Sequence, residues 1–196
     1  MPQCTSVWFT PIIAGAFTLA GVWLGNFLNQ RNSYKQAHRQ KMRELRVRSY
    51  AKLMGLKIPM TQVVRTHGEA KILCEYYDAR FHITHDVSDL EESKKQNERS
   101  LAFIQEISKL GREISEVLGE VKIAFPASDE LNQAVHAVYS SSAIDVPEVR
   151  GTVATVEALD AWKTRIVKSL ASMVQAEYAN KIESLLVMLY PSTDKA

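Results

Sequence analysis

Residues 101–125, LAFIQEISKLGREISEVLGEVKIAF, set Ile104, Ile107, Gly111, Ile114, Leu118, Val121 and Phe125 at alternating steps of three and four. An α-helix turns once in about 3.6 residues, so this spacing keeps all of them on one face as a coiled-coil-like seam. Leu101, Leu110 and Val117 widen the seam enough to face more than one neighbouring helix. No segment shows the sustained alternation of a strand, and no repeat of solenoid period is visible. The fold class expected is therefore all-α.

Moving upstream, Ser88 and Glu91 have the three-residue spacing of a capping box, which predicts a turn near Asp86 and a helix opening there. Before that turn, Met42, Leu45, Ser49, Leu53, Leu56, Met60, Val63, His67, Ala70, Cys74, Tyr77 and Phe81 recur as a helical stripe. Pro59 falls inside it, but the carbonyl its ring would crowd belongs to Gly55, which predicts a kinked, nearly continuous helix or two helices meeting there. Downstream, Pro126 stops the seam helix. Ser128, Asp129 and Glu130 open a short helix carrying Leu131, Val135 and Val138. The run SSSAIDVPEVRG, 140–151, reads as the longest loop. A final helix is expected from about Thr155 to Leu189, with Leu159, Trp162, Ile166, Leu170, Val174, Tyr178, Ile182, Leu185 and Leu189 on one side and Pro191 ending it. Helices of these lengths joined by short turns suggest an antiparallel four-helix-bundle-like domain.

The start of the chain has a different character. Thr5 to Leu28 contains no charged residue, and a helix of that length covers the roughly 30 Å core of a bilayer. Between 31 and 57 there follow nine basic residues, including Arg31, Lys35, Arg39, Lys41, Arg43, Arg46 and Arg48, opposed only by Glu44. Positive charge is held on the cytoplasmic side, so the expected topology is a single-pass bacterial inner-membrane protein with its N-terminus outside and a cytoplasmic C-terminal domain. The expected division is an anchor over 1–30, a basic juxtamembrane helix over 31–58 and a helical bundle over 59–196. Because the whole chain is only +2, the residues beyond this basic stretch are net acidic. The basic side chains are expected to face membrane lipid. Nucleic acid is disfavoured as a partner, because the arginines are already explained by topology and only Tyr34 and Tyr50 are interleaved for stacking. Gly21 and Gly25 form a small-xxx-small pair that could bring two such helices together as a homo-oligomer, although glycine is also simply common in spanning helices. Cys4 and Cys74 would then lie on opposite sides of the membrane and could not pair.

Positive signs of catalysis are sparse. His82, His85 and Asp86 are the one cluster with metal-ligand character, near Glu75 and Asp78, but a site needs a further ligand at a matching place. No histidine has Glu three residues before it, as di-iron bundles require. Cys74 has only His67 and Lys71 near it on its own helix, and His67 sits in the stripe, where an interface histidine is the common case. There is no phosphate-cradling Gly-x4-Gly-Lys loop and no His-Glu-x-x-His. No cofactor is called for.

The dipeptide His85-Asp86 resembles the signature of the HD metal-dependent phosphohydrolases, but the likeness ends at those two residues. The stretches IIAGAFTLAGVWLGNFLNQR, 12–31, and EVKIAFPASDELNQAV, 120–135, resemble a loose set of uncharacterised bacterial single-pass inner-membrane proteins with a cytoplasmic helical domain. That resemblance implies an all-helical fold at the inner membrane and brings no catalytic residues. The expected function is a non-enzymatic, membrane-tethered helical interaction module, binding itself or a cytoplasmic protein. The alternatives are a metal-dependent hydrolase built on His82, His85 and Asp86, and a membrane-perturbing effector.

Overall fold

The computed structural model describes residues 9–141, 146–149 and 153–194, with side chains described between 21 and 190. Among the described residues there is no strand, and the fold is all-helical: α1 (Phe9–Thr84), α2 (Val87–Ala124), α3 (Asp129–Tyr139), α4 (Val156–Val174), a π-helical turn (Gln175–Ala179) and α5 (Asn180–Asp194). The chain divides into two compact units, Met1–Glu44 and Leu45–Ala196.

Pro59 leaves α1 unbroken. A Cβ at Gly55 would meet nothing within 4 Å, so the missing side chain expected to ease a bend there is not what accommodates the proline ring. The nearby Thr61 hydroxyl donates to the Lys57 carbonyl at 3.0 Å. α1 ends where His85 adopts a left-handed backbone with φ 57°. Asp86 then caps α2, accepting from the Ser88 amide at 3.0 Å. The cap is thus Asp86, two residues before the serine that the capping-box spacing singled out, because an aspartate here can close a tight turn on its own.

The membrane anchor is corrected. Among the described residues no helix is long and apolar enough to cross a membrane, which removes the single-pass inner-membrane placement and the topology built on it. Thr10, Pro11, Thr18, Gly21, Gly25, Asn26, Asn29 and Gln30 dilute the uncharged run; lack of charge over a stretch is not the same as apolarity. In the same unit Val22, Trp23, Leu24, Phe27 and Leu28 are exposed, with Trp23 stacked on Phe27 at 5.9 Å.

In the second unit α1 has partners on two sides. α2 runs antiparallel to it. Asp89 meets Thr84, Ser93 meets Cys74, Ser100 meets His67, and Glu120 meets Arg48 and Lys52. α4 and α5 also run antiparallel to α1. Tyr76 donates to Asp160 at 2.6 Å, Gly68 receives Leu170, and Lys57 pairs with Glu183 at 2.7 Å. At Gly68 an added Cβ would lie 2.6 Å from Leu170 Cδ1, so a glycine lets α4 approach α1 closely there. α3 is tied to α2 by Tyr139, whose hydroxyl donates to the Ser115 carbonyl at 3.2 Å. The core is filled by Leu53, Leu118, Val121, Val135, Leu159, Leu170, Ile182, Leu185 and Leu189. Each such buried side chain stabilises the fold by about 1.5–3 kcal/mol relative to exposure.

Candidate functional site

α2 is buried differently along its length. From Leu110 to Ala124 its inner face is apolar, whereas its earlier inner positions are Asp89, Ser93, Gln96 and Ser100. These four follow helical spacing; Asp89, Ser93 and Ser100 pair with polar groups of α1, while Gln96 donates to Glu92 on its own helix at 2.7 Å. Asp89 Oδ2 accepts from Thr84 at 3.2 Å and lies 3.4 Å from the Arg80 guanidinium. Ser93 donates to the Cys74 carbonyl at 3.1 Å, and His67 Nδ1 is 3.1 Å from both Ser100 oxygens. The upper seam residues Leu101 and Ile104, expected to be covered, remain exposed. The reason is geometric: α2 pairs with α1 there through its polar face, which turns its apolar face away.

Between these two stretches of α2 lies a cleft of about 740 Å³. Met60, Val64 and His67 of α1 form one wall, and Ile104, Ile107, Gly111, Ile114 and Leu118 of α2 another. Val138 and Tyr139 of α3 close one end, and Tyr178 and Ile182 come from the π turn and α5. The volume falls in the range of small-molecule sites, about 300–1,000 Å³. Gly111 contributes to it directly, since a Cβ there would meet nothing within 4 Å. The polar groups in the lining are Ser108, Arg112, Ser115, Ser141, His67 and the two tyrosines; among the described lining residues none is acidic.

The π turn sets the far wall. It admits one extra residue per turn relative to an α-helix and so rotates α5 against α4, and such turns often occur at functional sites. Ser141 donates to the Glu177 carbonyl at 2.8 Å within the turn. Burial, and then the neighbouring Glu177 carboxylate, push the Tyr178 hydroxyl above its usual pKa, so it stays protonated.

The residues singled out from sequence fall elsewhere. His82 lies 3.9 Å from Asp78 one turn earlier, His85 packs edge-on to Phe81, and Asp86 is the α2 cap. They form the corner between α1 and α2, and among the described residues no group of three or more His, Cys, Asp or Glu is placed to hold a metal ion. Arg31, Lys35, Arg39, Lys41 and Arg43 are exposed in the first unit. Arg46 and Arg48, expected to face lipid, instead turn onto α2. Arg46 donates to the Ala124 carbonyl at 2.7 Å and covers the Phe125 ring, while Arg48 pairs with Glu120 at 2.6 Å. A guanidinium on the last carbonyls of a helix also complements its dipole. Gly21 and Gly25 have nothing within 4 Å of where a Cβ would stand.

Sequence reasoning missed the cleft, although most of its lining lies on stripes it identified. No protein family matches the chain, and neither a curated protein nor a solved structure matches it.

Proposed function

We propose that this protein is a non-enzymatic helical binding module, a four-helix bundle of antiparallel neighbours whose receiving surface is the cleft between α1, α2, α3 and the π turn. The observation that carries the reading is the cleft itself: apolar side chains from four helical segments wall a volume of ligand size, with a few polar groups in the lining. His67 in the lining does meet a hydroxyl, that of Ser100 at 3.1 Å, but Ser100 is buried and is not among the described lining residues, so this pair holds α1 to α2 rather than facing the cleft.

The neutral dye Nile red tests it. The full chain should bind Nile red with a blue-shifted emission, and Gly111→Trp, which fills open space rather than displacing a neighbour, should reduce that binding about tenfold or more. Ser108→Phe, at another exposed lining position, should act in the same direction, and circular dichroism establishes that both variants are folded. Undiminished binding in both folded variants would overturn the proposal.

A further inference from the structure

The cleft is asymmetric in charge. Ser108, Arg112 and Ser115 follow one another on α2 at steps of four and three, which places them along one edge of the lining, and Arg112 is exposed there. The other elements bring apolar side chains to the lining, Met60 and Val64 from α1, Val138 from α3 and Ile182 from α5. His67 is occupied with Ser100 through Nδ1. The described lining thus offers one permanent positive charge with two hydroxyls beside it, no negative charge, and a greasy interior.

We propose that the cleft binds a single-chain amphiphile bearing one carboxylate, its head on Arg112 between Ser108 and Ser115 and its hydrocarbon chain among Met60, Val64, Val138 and Ile182. This deepens the binding reading above and rests on it. A planar guanidinium takes a carboxylate through two parallel N–H···O bonds, and the Ser108 hydroxyl can donate one more, while that of Ser115 donates to the Gly111 carbonyl at 2.9 Å and flanks the head as a polar neighbour. A single cation balances a single negative charge, which favours a monoanion over a dianionic phosphate. An amphipathic helix has a body about 10–12 Å across. Such a body suits an open groove better than a cleft of about 740 Å³.

The experiment uses the full chain with decanoate and decanol, which share a chain and differ in head, read by calorimetry and by displacement of Nile red. Decanoate should bind about tenfold more tightly than decanol, and Arg112→Gln should remove that preference by weakening decanoate about tenfold more than it weakens decanol or Nile red. If Nile red binding depends on Gly111 but decanoate shows no preference over decanol, the head-group assignment fails and the binding module stands. If Nile red binding does not depend on Gly111, both fail. If an acidic amphipathic peptide displaces Nile red in an Arg112-dependent manner and decanoate does not, the occupant is a protein helix and the amphiphile is overturned.

Discussion

Glu120 shows how far one side chain can reorganise a basic segment. It accepts from Arg48 at 2.6 Å, from Lys52 at 3.0 Å and from the buried Ser49 hydroxyl at 3.1 Å. The Arg48 guanidinium, then the Lys52 ammonium, pull its pKa from 4.5 down to about 2. A carboxyl with a depressed native pKa adds stability that is fully present above its unfolded pKa and is lost as pH falls through the native one. The Glu120 contribution is therefore complete above pH 4.5 and disappears toward pH 2. Glu120→Gln should cost about 1–2 kcal/mol at neutral pH, allowing for solvent screening, and almost nothing near the acid limit. Urea denaturation of both proteins across that window checks it, and a pH-independent difference would contradict the assignment. None of this was legible from the sequence. Arg46 and Arg48 belong to a run whose density suggested lipid, and only the antiparallel pairing with α2 brings Ala124 and Glu120 opposite them.

At the scale of elements, periodicity was informative wherever a helix has one neighbour and incomplete where it has two. The turn near Asp86, the short α3 with its Ser128 cap, and the apolar half of α2 were all readable. On α1 the sequence pattern followed Val63, His67, Ala70 and Cys74, yet Val64, Gly68, Ile72, Tyr76 and Ala79 are also buried, because α4 covers a second face. The last helix holds a signal that went unread. Trp162, Ile166, Leu170, Val174, Tyr178 and Ile182 are spaced by four at every step, and on an α-helix each such step drifts about 40° around the axis. So long an uncorrected drift leaves the face unless a wider turn absorbs it, and the π turn at Gln175–Ala179 does so. α5 also runs on past Pro191 to Asp194, because a proline in the final turn removes only one of the last hydrogen bonds. Deleting the exposed Ala176 should convert the π turn to α-helix, rotate Tyr178 out of the cleft and abolish Nile red binding, with helical content retained. Unchanged dye binding by the folded deletion would mean that the π turn does not shape the site.

Across the whole molecule, the uncharged opening and the basic run beyond it suggested a span with a retained positive flank, and among the described residues no helix meets the length and apolarity a span needs. The helical class was readable because the long seam of α2 admits no strand alternative, whereas the cleft depends on where four segments converge, a property no single periodicity encodes. The molecule offers a second apolar surface against which the claim can be judged. Met54, Ile58, Val187 and Tyr190 are exposed on α1 and α5, away from the cleft. Isoleucine methyl resonances separate the two, since Ile104, Ile107, Ile114 and Ile182 line the cleft while Ile58 lines the other surface. Titrating isoleucine-labelled full-length protein with Nile red should shift the methyl signals of Ile104, Ile107, Ile114 and Ile182 and leave Ile58 in place; movement of Ile58 with the cleft isoleucines unmoved would contradict the account.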